Sequence, residues 1–321
     1  MGAATSSTAN SSPELRSIND LCVIIPVLNE RENVLKAVQS VLQSGPNAYQ
    51  PEVVVVDGGS TDGTLELCQA LPGVKVLKSS AGRGRQMNVG WRSSQAPWVL
   101  FMHGDSQLPP SYPSGLQHAL LPAQPAKERG GQQQEAGANW GCFATICTEF
   151  DNSWQGWLLR TGVGLRTRLL HQPYGDQALF VSRAWLDKMG GFREWPLLED
   201  LDLVTRLQAA GAGRPAIVEL PLQTSGRRWS KLGFWRTALL NQAVLVGWRC
   251  GVDVGTLAKW YRAPELLLKP RPKAPAAPST TTPDPDIAST PALTMTWALT
   301  AANLAKPTPW AQPPPLDPPS S

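Results

Sequence analysis

Four short apolar runs punctuate the first hundred residues, at Leu21–Ile25, Val53–Val56, Val74–Leu77 and Trp98–Met102. Each is closed by a polar or Gly-rich turn, and the Val/Ile content marks strands buried on both faces, the condition of a parallel sheet. Between them the period changes. Val34, Ala37, Val38, Val41 and Leu42 recur at helical spacing within residues 29–42. Residues 64–70 follow an Asp62 placed to cap them, and residues 85–94 make a third helix. Strand, helix, strand, helix, strand, helix, strand, joined by right-handed crossovers, predicts an α/β domain whose mostly parallel sheet is flanked by helices. Pro26 is read as the stop of the first strand. Strand character returns at residues 140–148 and 178–181, and Leu201, Val204, Leu207 and Ala210 mark a helix opened by Glu199-Asp200.

The pattern fades in three places. Residues 1–20 are Ser/Thr/Ala-rich and read as a disordered leader without a signal-peptide core. Residues 124–138 turn polar and Gly/Gln-rich and read as a loop insertion. Residues 263–321 hold half of the 30 prolines and cannot bury enough apolar surface to fold. The folded unit is therefore placed at about 21–262. Within it, Phe234–Trp248 is apolar but too short to span a bilayer. It is expected to be a core helix, with an interfacial helix lying on a membrane as the second reading.

Composition narrows the classes. A net charge of +4 with scattered arginines argues against nucleic-acid binding. The five cysteines form no Cys-x-x-Cys pair, so they read as reduced thiols of a cytoplasmic protein rather than a disulfide framework or zinc site. Eleven of the 13 tryptophans lie between Trp91 and Trp260, more than a core of this size needs, and suit a cleft that stacks sugar rings or an isoprenoid.

Candidate chemistry sits at two strand ends. Val53–Val56 runs into Asp57-Gly58-Gly59-Ser60, and Trp98–Met102 into His103-Gly104-Asp105. Ligands of open α/β sheets bind at such carboxyl ends. Two ends bearing Asp suit base or ribose donors at one place and a metal-chelated diphosphate at another, which describes a nucleotide-sugar.

Val23–Glu30, the Asp57-to-Thr64 run and the Glu199-Asp200 pair resemble family 2 glycosyltransferases of the GT-A fold. Gly82–Asn88, Tyr174–Gln177 and Ser225–Trp229 resemble, more narrowly, a small soluble branch labelled radical-SAM/selenodomain-associated transferases. The likeness runs over about residues 21–262. It implies an enzyme that moves a sugar with inversion from a nucleotide-diphospho-sugar, UDP-linked by family habit, to an acceptor hydroxyl. The acceptor is either a small molecule or lipid-linked, and a peripheral membrane contact is compatible with either.

The resemblance also assigns residues. Pro26, Glu30 and Asp57 would meet the nucleotide, while Arg83, Arg85 and Asn88 would lie toward the diphosphate. Asp176, Gln177, Arg228 and Trp229 would line the cleft. Asp105, with His103 in place of a second acid, would hold Mn²⁺ or Mg²⁺. Asp200 would be the base, steered by Glu199. Bland readings stand beside these: Asp57 as a turn cap, Glu199-Asp200 as acids complementing a helix dipole, Trp229 as core. Two other classes stay open. One is a binding protein without catalysis; the other is a nucleotidyltransferase, disfavoured by Val27–Glu30 where a Gly-rich, Arg-bearing loop is wanted.

Overall fold

The computed structural model describes residues 20–43, 50–120, 138–148 and 153–263. The leader, almost all of the insertion and the Pro-rich tail lie outside them.

Alternation decides the core. In β1 (Leu21–Val27), Leu21, Val23, Ile25 and Val27 point to one face of the sheet, and Cys22 and Ile24 to the other. Both sets are fully buried, as a strand covered by helices on both sides requires. β2 (Glu52–Asp57), β3 (Val74–Lys78) and β4 (Trp98–Phe101) join β1 in parallel, in the order β3-β2-β1-β4. The helices α1 (Val34–Leu42), α2 (Thr64–Gln69) and α3 (Arg83–Arg92) make the crossovers.

Pro26 does not stop β1, which runs on to Val27. The carbonyl of Ile24 accepts from Met102 N on the β4 side, so Pro26, two residues on, faces the same way. The β1–β4 pairing ends here, so the missing N–H of Pro26 costs the ladder at most one terminal bond.

The second half of the sheet is mixed. It contains β5 (Ser106–Gln107), β6 (Trp140–Cys147), β7 (Phe180–Ser182) and β8 (Ala216–Thr224), completing the order β3-β2-β1-β4-β7-β6-β8-β5. β7 runs antiparallel to β4 and β6, β5 antiparallel to β8, and β6 parallel to β8. The sheet is thus mostly parallel, as expected, with its antiparallel pairings confined to the second half. Around it lie α4 (Tyr112–Leu120), α5 (Trp154–Leu170), α6 (Arg183–Met189), α7 (Glu199–Ala209), α8 (Arg227–Leu232), α9 (Phe234–Arg249) and α10 (Val254–Arg262).

The apolar Phe234–Trp248 segment is a surface helix rather than a core one. α9 buries Thr237, Leu240, Val244 and Gly247 but leaves Trp235, Leu239 and Val246 more than half exposed. No helix among the described residues is long and apolar enough to cross a membrane.

Candidate active site

The carboxyl ends of β1, β2 and β4 open on one side of the sheet, and three clusters meet there. The first is the turn after β2. Asp57 is buried, and its Oδ2 accepts from Gly59 N (2.8 Å) and Ser60 N (3.0 Å). The turn is stitched to the end of β1: Asn29 N donates to Ser60 Oγ, and Asn29 Oδ1 accepts from Thr61 N, each at 2.9 Å. Asp62 accepts from Thr64 N at 3.0 Å, but the cap position of α2 falls to Gly63, at φ 89°, with no side-chain cap bond, so the expected Asp62 cap is not formed. Asp57 thus shapes the loop with its carboxylate, and any ligand here meets a turn that this carboxylate holds.

The second cluster is acidic. Glu30 and Asp105 both accept from one Arg227 nitrogen, at 2.7 and 2.8 Å for the two Glu30 oxygens and 3.2 Å for Asp105 Oδ2. Burial, then the Glu30 charge, raise the Asp105 carboxyl above its ordinary range, and Arg227 offsets part of that. Among the described residues no three His, Cys, Asp or Glu side chains converge on a metal position. Two carboxylates already sharing one cation nevertheless fit Mg²⁺ or Mn²⁺, which commonly take one or two carboxylates and complete their shell with phosphate oxygens and water. His103 is not part of that set. The turn after β4 closes with Ser106 N on the His103 carbonyl (3.1 Å) and sends the two side chains into different clusters.

The third cluster holds His103, Arg83, Glu199 and Asp200. Glu199 is 1% exposed and ion-paired to Arg83. His103 Nε2 lies 3.1 Å from Arg83 Nη1. Arginine can only donate, so this nitrogen accepts and the ring is neutral. Burial first, then the Arg83 charge, push its pKa down to about 3, in agreement. Asp200 Oδ2 accepts from Gly175 N at 2.5 Å and Oδ1 from Leu201 N at 2.8 Å. A Cβ on Gly175 would meet Asp200 Oδ2 at 2.8 Å, so a larger residue here would push that carboxylate out of place. Leu198, just before the pair, sits at φ 65°, a left-handed conformation costing about 1–3 kcal/mol for a non-glycine residue. Arg83, His103, Gly175 and Asp200 line one small cavity with Met87, Phe101, Leu179 and Phe192.

Asp176 faces the same cluster. Burial raises its carboxyl pKa, opposed by Arg166, and its Oδ1 has no partner. An unpartnered buried oxygen is a costly feature that a ligand would relieve.

Other expected site residues are engaged elsewhere. Arg85 pairs with Glu194 at 2.7 Å on the outer surface. Residues two apart on a helix face opposite ways, so Arg83 and Arg85 cannot both reach one diphosphate. Asn88 spends its amide on Phe192 O and Phe192 N, at 2.8 and 2.9 Å, clamping α3 to the loop before α7. Gln177 is fully buried, donating to Phe143 O (2.9 Å) and Thr167 Oγ1 (2.8 Å) and accepting from Arg166 (2.8 Å). Both amides are buried clamps between elements of the fold. Arg228 stacks 3.5 Å over the Tyr261 ring and donates to Tyr261 O at 2.6 Å, leaving its Nε unpartnered. Trp229 packs against Phe234 with centroids 5.3 Å apart, beside an open apolar groove.

Tyr174 stood inside the Tyr174–Gln177 motif, whereas Tyr261 and Arg166 carry no sequence signal. Tyr261 lies within electrostatic reach of Arg83, Asp176 and Asp200, and Arg166 stacks 3.5 Å over Tyr174. Nothing local marks them, since their neighbours come from other elements. Arg227 stood inside a recognised motif without a role, because its partners Glu30 and Asp105 are more than a hundred residues away.

Residues 22–121 match the family model for Glycosyl transferase family 2. This stretch carries a family 2 glycosyltransferase fold. It covers the parallel half of the sheet, with the Asp57 turn, Arg83 and Asp105. The glycosyltransferase AglJ of Haloferax volcanii is 34% identical over 86 residues, 26% of this chain and 27% of that protein. The beta-monoglucosyldiacylglycerol synthase of Synechocystis is 24% identical over 266 residues, 73% of this chain and 52% of that protein. The chain thus spans about a quarter of the first relative and half of the second. Among solved structures, the mannosyltransferase PcManGT of Pyrobaculum calidifontis, in complex with GDP-Man and Mn²⁺, aligns at 18% identity with a TM-score of 0.47. That alignment covers 76% of this chain and 67% of the other.

Proposed function

We propose that the chain is a family 2 glycosyltransferase that moves a sugar, with inversion, from a nucleotide-diphospho-sugar to an acceptor hydroxyl. The observation that carries this reading is Asp200. Its carboxylate opens α7, is held by the Gly175 and Leu201 amides, and borders a cavity shared with Arg83 and His103. All this lies at the carboxyl edge of a sheet whose first half is family 2 in sequence. The donor nucleotide, UDP by resemblance, rests on the turn held by Asp57 and beside Glu30. Arg83 turns from Glu199 and His103 toward the diphosphate. Asp105 and Glu30 would hold a divalent cation, which would supply positive charge to the leaving diphosphate. Asp200 takes the proton of the acceptor hydroxyl as the diphosphate leaves from the opposite face. Asp176, with its unpartnered oxygen, orients a sugar hydroxyl. Reduced cysteines suit a cytoplasmic setting, and no disulfide joins the described ones. The acceptor is a small or lipid-linked hydroxyl, and the name of the Synechocystis relative favours a lipid.

The test is a thermal-shift screen across nucleotide-sugars, followed by donor hydrolysis with Mn²⁺ or Mg²⁺. Stabilisation by one nucleotide class and metal-dependent release of its diphosphate are expected. Stabilisation without any turnover would make this a binding protein.

A further inference from the structure

Large exposed apolar side chains are not scattered over this molecule. Of the ten that stand out among the described residues, Trp154, Trp157, Leu158, Leu165, Leu169 and Leu170 lie on α5, and Trp235, Leu239 and Val246 on α9. Only Leu28 lies elsewhere. Trp154, Leu158, Leu165 and Leu169 follow an i, i+4, i+11, i+15 spacing, which is one helix face. Trp235, Leu239 and Val246 do the same on α9. Each helix also buries an inner face, through Gly156, Val163, Gly164 and Thr167 on α5 and Leu240 and Val244 on α9. A helix apolar on both faces is one that is covered on both.

The two outer faces form one surface. At one end Trp154 packs on Phe234 and Trp235, with centroids 6.0 and 5.9 Å apart. At the other, Arg249 donates to Gln172 at 3.3 Å. The helices therefore run side by side in the same direction, giving an apolar strip about 25 Å long at 1.5 Å per residue. Its charge is one-sided. Residues 154–170 and 227–249 contain no Asp or Glu and eight Lys or Arg, of which Arg166, Arg227 and Arg228 turn toward the site and Arg168 pairs with Glu219. Lys231, Arg236 and Arg249 are exposed on the second of these segments.

We infer that this strip is a docking surface for an anionic lipid bilayer, on which the protein sits through the outer faces of α5 and α9. Tryptophans and leucines on one face with basic residues around them are what an interfacial site requires. A second copy of the chain is the poorer occupant. A two-fold contact sets a patch against itself, and here that would press like charges together. Trp229 lies on α8 between this surface and the Glu30–Asp105 cluster, joined to the strip through Phe234.

The test uses the full chain in sedimentation with vesicles of phosphatidylcholine, with and without phosphatidylserine. Binding is expected only with the anionic lipid and is expected to fall with salt. Trp154→Ser combined with Trp235→Ser should weaken it more than ~10-fold, and Lys231→Glu or Arg236→Glu by roughly fivefold each. All these positions are exposed, so circular dichroism and donor binding should match the parent. Three results would overturn the inference: no sedimentation with anionic vesicles, unchanged binding in the double tryptophan variant, or self-association abolished by that variant. The readout does not involve sugar transfer, so the surface can fail while the proposed activity stands, and the reverse.

Discussion

Asp57 and Asp176 are both acids of the cleft, and their environments give them opposite prospects. Asp57 satisfies its carboxylate with backbone amides, so it holds the loop whether or not a nucleotide is present. Asp57→Ala is expected to lower the melting temperature, by about 1–2 kcal/mol of stability for a lost cap-like acceptor, and to weaken UDP binding as the turn loosens. Unchanged affinity in calorimetry would remove this turn from the nucleotide site. Asp176 carries an unpartnered oxygen and a raised pKa. Its folded form holds a proton more readily than the unfolded chain, so its contribution to stability falls as pH rises from about 4. Asp176→Asn should therefore be more stable than the parent near neutrality, with the gap closing in acid, while transfer falls. Equal melting curves at both pH values would contradict this.

At the scale of elements, placement depends on close approaches that no apolar period reveals. A Cβ on Gly141 of β6 would lie 2.1 Å from Ala216 O and 2.3 Å from the Phe180 ring, between the two strands that flank it. Gly141→Ala is expected to destabilise the fold by ~1–3 kcal/mol or more, read by chemical denaturation. α8 acts at the opposite end of the site. It carries Arg227 into the Glu30–Asp105 pair, where its guanidinium stands in for a bound cation. Arg227 is 46% exposed, so solvent screens the ion pair and its worth is at most about 1 kcal/mol. Arg227→Gln should then tighten Mn²⁺ binding in the absence of nucleotide by no more than ~5-fold. Weaker Mn²⁺ binding in calorimetry would mean that the cation is held elsewhere.

Over the whole molecule, the parallel half was legible because both of its faces are buried and each strand reads as a continuous apolar run. In the mixed half β6 and β7 were legible too, but β8 was not picked out and β5, at two residues, is too short to show a period. In the site, Glu30, Asp57, Asp105 and Asp200 could be picked out from strand ends and a helix start. The split of His103 from Asp105, and of Arg83 from Arg85, depends on a turn and a helix phase that motif spacing does not encode. Tyr261 and Arg166 reach the site only through tertiary packing. The proposed transfer depends on Asp200 as the proton acceptor, and one comparison tests that role most directly. Asp200→Asn keeps the shape but cannot take a proton, and with one acceptor oxygen it keeps only one of the Gly175 and Leu201 amide bonds. With donor affinity and transfer rate measured side by side, affinity should stay within a few-fold and turnover should fall by ~10²–10⁴. Near-normal turnover in Asp200→Asn would contradict the account and leave the pair as acids at a helix start.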